Sequence, residues 1–300
     1  MLTIPRRTSK PLFFLFCFTL LLTFFLSLPW INAKETPKPK PQGWQINGIS
    51  AALDDGYDQV KGHALKQLIK YDLKDLKSVG KKPEDLAQKV AQILKDQKVY
   101  YSVRASAAEA LGNLGPAAVN YVPDIAQILK DQKVDSYVRG SAAEALGNLG
   151  PAAANYVPDI AQILKDEKVY YSVRASAAEA LGNLGPAAAN YVPDIAQILK
   201  DQKVDKYVRG RAAEALGNLG PAAANYVPDI LQILKDQKVD YSVHASAAKA
   251  LGNLGPAAAN YVPDIAQILK DQKVDKYVRG RAAEALGNLG PAAANYVPDI

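Results

Sequence analysis

Apolar and polar positions follow a helical rhythm through most of the chain. In residues 121–155, Ile125, Ile128 and Leu129 form an i, i+3, i+4 stripe. Pro123, just before it, suits the first turn of a helix, where the missing N–H is not needed. The stretch Asp131-Gln132-Lys133-Val134-Asp135 then predicts a loop, with Asp135 or Ser136 placed to cap the next helix. That second helix carries Val138, Ala142, Ala145, Leu146 and Leu149 at i, i+4, i+7, i+8 and i+11, one continuous apolar face. Gly150-Pro151 predicts its end, because glycine takes a left-handed C′ conformation readily and proline cannot continue the ladder. Ala152 to Tyr156 is expected to form a short helical turn, kinked by Pro158, leading into the following pair.

The pair recurs every 35 residues from Leu86 onward, in blocks 86–120, 121–155, 156–190, 191–225, 226–260 and 261–295. Blocks 191–225 and 261–295 are identical, and residues 296–300 restart the pattern, which predicts a truncated seventh repeat. Two short amphipathic helices cannot bury their faces alone, so each pair must stack on its neighbours into an open-ended solenoid. At 8–10 Å between helices, six pairs predict a rod of roughly 50–60 Å. Odd and even blocks differ at the start of the second helix. YYSVRAS at 100–106 and 170–176 alternates with DSYVRGS at 135–141 and DKYVRGR at 205–211 and 275–281, so the full unit spans 70 residues.

The run from Leu129 to Gly150, LKDxxVxxxVRxxAAEALGNLG, resembles the HEAT repeat, and in particular the short bacterial subtype named for phycobilisome lyases. The likeness covers residues 86–300. It extends more weakly to 46–85, where Leu53-Asp54-Asp55 and Val60-Lys61-Gly62 echo the pattern, so 44–85 reads as a divergent N-terminal capping repeat. The resemblance implies an all-α fold, a right-handed α-α superhelix of stacked helix pairs, acting by protein–protein interaction. It also implies that the recurrent Asp and Arg of each repeat (Asp131 and Arg139, Asp166 and Arg174, Asp201 and Arg209) tie the loop to a neighbouring repeat. In block 226–260 His244 replaces that arginine, and an imidazole has fewer donors, which predicts the weakest joint there.

Stepping 100° per residue around the second helix places Gly140, Glu144 and Gly147 opposite the face that meets the first helix. In HEAT-like stacks that side lines the concave surface. The expectation is a shallow trough of small residues ruled by Glu109, Glu144, Glu179, Glu214 and Glu284, with Lys249 in the fifth block, suited to a basic protein or peptide. Asn113, Asn148, Asn183 and Asn218 recur on one flank; armadillo-type solenoids, similar in plan, use such asparagines to bond a bound peptide backbone. The recurrent tyrosines, such as Tyr100, Tyr101 and Tyr121, are expected to wedge neighbouring repeats.

Charge changes this picture little. The formal net charge of +6 includes Arg6, Arg7 and Lys10, and without residues 1–33 the balance is 33 basic against 30 acidic groups. Block 191–225 holds five bases and four acids, too mixed for a nucleic-acid groove. Those N-terminal bases precede an uncharged apolar stretch, residues 12–28, and Ile31-Asn32-Ala33 offers a small residue for cleavage before Lys34. Residues 1–33 thus read as a signal peptide, or as an uncleaved anchor of roughly 25 Å. Either predicts export, to a periplasmic, extracellular or lumenal compartment, with membrane contact only through that segment. Residues 34–43, KETPKPKPQG, predict a semi-rigid spacer of roughly 30 Å.

Chemistry is sparse. The only cysteine, Cys17, falls in the leader, and the two histidines, His63 and His244, are each followed by alanine. Deoxyhypusine hydroxylases, which share this repeat type, hold iron with His-Glu pairs, and no such pair occurs. Nucleophile-elbow, P-loop and zinc-helix motifs are missing as well. No catalytic residue, metal site or cofactor is expected. The sequence predicts an exported, non-catalytic scaffold; the alternatives are a structural spacer without a dedicated ligand and, behind it, a phycobilin-lyase-like handler of chromophores.

Overall fold

The computed structural model describes residues 38–73 and 82–299. The helical repeats form one compact unit, which begins at Pro39. The leader and the stretch 12–28 lie outside the described residues, as does part of the spacer.

Repeated helix pairs build this unit, and no strand occurs among the described residues. α1 (Gly43–Ala52) and α2 (Asp58–Ile69) form a pair ahead of the regular repeats. The first helices that follow are α3 (Pro83–Lys95), α5 (Val122–Lys130), α7 (Val157–Lys165), α9 (Val192–Lys200), α11 (Val227–Lys235) and α13 (Val262–Lys270). Their partners are α4 (Tyr101–Leu114), α6 (Ser136–Leu149), α8 (Tyr171–Leu184), α10 (Lys206–Asn218), α12 (Tyr241–Leu254) and α14 (Lys276–Asn288). Each regular pair meets the next through a 3-10 segment such as Gly150–Tyr156.

Local chemistry sets these boundaries. α5 begins with proline in its first turn and buries Val122, Ile125, Ala126 and Leu129. It stops at Asp131, whose Oδ1 accepts the Lys133 N–H at 2.9 Å while its carbonyl accepts the Val134 N–H at 3.1 Å. Val134, the apolar residue of this turn, is buried and plugs the end of the core. Asp135 then caps α6 by accepting the Tyr137 N–H at 2.8 Å, satisfying one of the orphan donors of the first turn. Gly150 closes α6 at φ 58° and ψ −130°. This positive φ suits glycine, but the ψ is extended and not that of the left-handed helix expected from the sequence.

Burial is most complete in the second helices, which stack on one another along the unit. In α6, Val138, Gly140, Ala142, Ala143, Ala145, Leu146, Gly147 and Leu149 are all buried. Only Tyr137, Ser141, Glu144 and Asn148, at i, i+4, i+7 and i+11, retain substantial exposure between its second residue and its C-terminus. That spacing is a single stripe on an otherwise enclosed helix.

Gly147 explains how closely the second helices approach. A Cβ built on it would lie 2.8 Å from Ala180 Cα and 3.2 Å from Ala180 Cβ, and Gly112, Gly182 and Gly217 face the following helix in the same way. Between first helices the links are ionic. Lys95–Asp124, Lys130–Asp159, Lys165–Asp194, Lys200–Asp229 and Lys235–Asp264 pair at 2.9–3.4 Å across successive repeats. These pairs are exposed, so each contributes roughly 0–1 kcal/mol.

Candidate functional site: the exposed stripe of the second helices

Stacking aligns the exposed stripes of α4 to α14 into columns. Glu109, Glu144, Glu179 and Glu214 fall in one column, with Lys249 and Glu284 continuing it. A second column holds Ser106, Ser141, Ser176, Arg211, Ser246 and Arg281, and a third holds the asparagines. The glycines expected beside the glutamates are elsewhere. Gly112, Gly147, Gly182 and Gly217 are buried in the joints between second helices, because backbone contact with the next repeat leaves them no outward face. The predicted trough of small residues is therefore corrected to a stripe of polar side chains.

The glutamate column is not uniform. In its first half the neighbouring column supplies only serine, and Ser176 Oγ donates to Glu144 Oε1 at 2.9 Å. Burial pushes the Glu144 carboxyl above its ordinary range; the charges of Glu179 and Glu109 push it further, while the Ser176 hydrogen bond and Arg211 oppose them. In its second half the cations intervene. Arg211 lies 3.1 Å from Glu214 and 3.5 Å from Glu179, Lys249 lies 3.4 Å from Glu214, and Arg281 pairs with Glu284 at 2.6 Å. Ser246 also donates to Glu214 at 3.0 Å. Glu214 and Glu284 are thus neutralised within the protein, Glu179 shares Arg211 with Glu214, and the excess of negative charge is greatest at Glu109 and Glu144.

Asn148, Asn183, Asn218 and Asn253 are exposed at the C-terminal ends of their helices, and Asn113 is half-buried. Asn113 Nδ2 donates to the Glu109 carbonyl of its own helix at 3.0 Å, and Asn253 Nδ2 donates to Asn218 Oδ1 at 3.2 Å. A shallow cavity of about 620 Å³, lined by Asn113, Val119, Asn148 and Ala152 among others, opens beside the first of them.

The recurrent arginines are placed differently from the expectation. Arg139 is buried, and its Nε donates to the Leu129 carbonyl at the end of its own repeat's first helix, at 2.9 Å. Arg104, Arg174 and Arg209 make the same bond to Leu94, Leu164 and Leu199. The hydrogen bond therefore runs within a repeat, from second helix to first. Neighbouring repeats are linked at longer range: burial lowers the Arg139 guanidinium below its ordinary value, and the charges of Asp131 and of Asp166 in the next repeat oppose that shift. Asp131, Asp166 and Asp201 spend one carboxylate oxygen each on their own turn, accepting from Lys133, Lys168 and Lys203.

The tyrosines separate into two classes. Tyr121, Tyr156, Tyr191, Tyr226 and Tyr261 are half-buried against the core, as wedges would be. Tyr100, Tyr101, Tyr137, Tyr170, Tyr171, Tyr207, Tyr241 and Tyr277 are 42–60% exposed at the starts of the second helices, which corrects the wedge assignment for Tyr100 and Tyr101. They cluster across odd–even joints, Tyr101 with Tyr137 at 6.5 Å, Tyr171 with Tyr207 at 6.3 Å and Tyr241 with Tyr277 at 5.4 Å between ring centres. The signal separating the classes was present: the buried set precedes Val-Pro, whereas the exposed set sits among Asp, Lys and Ser.

Among the described residues no group of three or more His, Cys, Asp or Glu side chains is gathered to hold a metal, and no helix is long and apolar enough to cross a membrane. The repeat geometry has a match. HEAT repeats align at residues 87–169, 122–202, 157–238 and 227–297. The chain belongs to the HEAT-repeat family. Solved structures resembling this HEAT-repeat protein include Kap121p bound to Pho4p, at 15% identity and a TM-score of 0.56, covering 83% of this chain and 30% of that one. An engineered protein matches at 24% identity over 69% of this chain and 97% of its own, with a TM-score of 0.47. Human deoxyhypusine hydroxylase in complex with glycerol matches at 23% identity over 84% and 87%, with a TM-score of 0.38. The chain thus spans under a third of the karyopherin. No curated protein matches it in sequence.

Proposed function

We propose that this HEAT-repeat protein is an exported, non-catalytic scaffold whose second-helix stripe binds a basic protein segment at Glu109, Glu144 and Glu179. One observation carries the reading: Glu109, Glu144 and Glu179 stand in one column on successive repeats with Arg211 reaching only Glu179, at 3.5 Å, and burial together with the charges of Glu179 and Glu109 raises Glu144. Lysine or arginine side chains laid along the column relieve that repulsion and gain charge-assisted hydrogen bonds. Glu144 and Glu179 are half-buried, and such carboxylates are better recognition groups than fully solvated ones, because screening by water is weaker there. Kap121p, which shares the fold, has been solved with the proteins Pho4p and Ulp1p bound, which supports a protein as the class of partner. Export rests on the charged, apolar and small-residue order of residues 1–33.

The direct test is titration with a lysine-rich and a glutamate-rich peptide of equal length, followed by fluorescence anisotropy. Binding of the basic peptide alone is expected, weakening as salt rises, with the pair Glu144→Lys and Glu179→Lys reducing affinity at least tenfold. Equal binding of both peptides, or indifference to the double substitution, overturns the assignment and leaves the spacer. Export is checked by fractionating producing cells and measuring the mass of the chain; a full-length chain in the cytoplasm overturns it.

A further inference from the structure

The alternation of odd and even repeats plays no part in the glutamate column, but it organises the exposed tyrosines. Odd second helices begin with a tyrosine (Tyr101 of α4, Tyr171 of α8, Tyr241 of α12), and even ones carry it at their second residue (Tyr137 of α6, Tyr207 of α10, Tyr277 of α14). These registers bring two rings together across every odd–even joint, at 6.5, 6.3 and 5.4 Å between centres. All six side chains are exposed, so the pairs touch where solutes also reach them.

Touching, exposed phenols are substrates for oxidative coupling. Loss of one electron and one proton turns each phenol into a neutral phenoxyl radical with spin on its ortho carbons. Two such radicals form one carbon–carbon bond, and the two ortho hydrogens shift to restore both hydroxyls. The pair gives up two electrons and two protons in all, and one molecule of hydrogen peroxide, acting through a peroxidase, takes them up to become two molecules of water. No thiol or thioether in the repeats competes for the oxidant, since the only cysteine and the only methionine are Cys17 and Met1.

The joint between the fifth and sixth repeats is the best placed of the three. Its rings are the closest inter-repeat pair. Tyr101 and Tyr171 each have a second phenol beside them, Tyr100 at 4.4 Å and Tyr170 at 4.6 Å, which diverts the radical. Tyr241 follows Asp240 instead and has no such competitor next to it in the chain. A cavity of about 200 Å³ adjoins both rings, giving them room to turn from their 53° tilt until ortho carbon meets ortho carbon. Lys276 lies 5.1 Å from the centre of the Tyr277 ring. That cation opposes a radical cation, but not the uncharged phenoxyl left once the proton has gone. We propose that Tyr241 and Tyr277 form an oxidative cross-linking site, which a peroxidase using hydrogen peroxide closes as dityrosine, fastening the fifth repeat to the sixth. Such a bond restrains the unfolded chain as a disulfide does, in an array whose repeats contain no cysteine. It does so whether or not the glutamate column binds a partner.

The test treats the full chain, at low micromolar concentration, with a haem peroxidase and hydrogen peroxide. The monomer is then isolated by size exclusion and digested with trypsin. Dityrosine fluorescence is expected in the monomer, with a mass lower by two hydrogens for each bond. Residues 239–249 joined to a Tyr-Val-Arg peptide, the product of 277–279, should be the most abundant linked species. Residues 207–209 yield the same tripeptide, so Tyr277→Phe decides the partner. Phenylalanine keeps the ring at this exposed position, forms no phenoxyl, and should remove the linked species. Tyr226→Phe, in the half-buried class, should leave its yield unchanged. The treated monomer should also exchange amides in residues 241–254 and 276–288 several-fold more slowly than the untreated one, and Tyr277→Phe should show no such slowing. Fluorescence confined to covalent dimers, no linked species in the monomer, or a linked species that survives Tyr277→Phe overturns the proposal.

Discussion

At the scale of single residues, small differences in surroundings separate positions that look alike in the sequence. Gly147 and Gly280 both sit inside second helices. A Cβ at Gly147 meets the backbone of Ala180 at 2.8 Å, whereas nothing lies within 4 Å of one at Gly280. Gly147→Ala must push two repeats apart and is expected to cost about 1–3 kcal/mol. Gly280→Ala gains helix propensity, up to about 1 kcal/mol. Urea unfolding followed by circular dichroism should show the two midpoints moving in opposite directions. Glu144 makes a prediction in pH. Its carboxyl is raised in the folded chain, so the folded state holds a proton that the unfolded state has already lost as pH climbs past the ordinary glutamate value. Its contribution to stability is therefore present below that value and disappears as pH rises through the folded one. Glu144→Gln is expected to stabilise the protein at neutral pH and to flatten the pH dependence between the two values. A midpoint lowered at pH 7 by this substitution would contradict the repulsion assigned to the column.

Single elements were largely legible beforehand, because their ends are written in residues with local effects. Pro123, Asp135 and Gly150 place the start of α5, the cap of α6 and its end through contacts within a few positions. The cap gives a clean expectation: Asp135→Ala loses one satisfied N–H and should cost about 1 kcal/mol. Lys130→Ala, which removes the exposed pair with Asp159, should cost at most about that much. Thermal melts of the two variants compare them directly. What was not legible depended on which neighbour each face meets. Helical stepping put Gly147 beside Glu144 on one side of α6, and only the approach of α8 decides that the glycine is enclosed and the glutamate is not. Likewise the spacing of Asp131 and Arg139 does not reveal that the guanidinium turns back to Leu129, since the competing acceptor is a backbone carbonyl common to every residue.

On the scale of the whole repeat array, cohesion is nearest-neighbour, so stability is a chain of local joints and the weakest one sets where opening begins. Identical repeats would open anywhere with equal ease. This array is not uniform: the fifth repeat, like the sixth, lacks the guanidinium bond to the first helix, and the backbones of its two helices approach less closely than in any other regular repeat. A hydrogen bond from a charged donor contributes about 1.5–3 kcal/mol against about 0.5–1.5 for a neutral one, so exchanging the guanidinium for an imidazole weakens this joint. Unfolding is therefore expected to begin at residues 226–260 and to leave the preceding repeats folded over an intermediate range of urea. Hydrogen exchange resolved by segment should show residues 236–254 several-fold less protected than 166–184. Restoring the repeat consensus with Leu231→Ala and His244→Arg should remove that difference and merge the transitions into one. Equal protection across both segments in the natural chain would mean that the surrounding joints carry the strain of the fifth, and that the array behaves as a single cooperative unit.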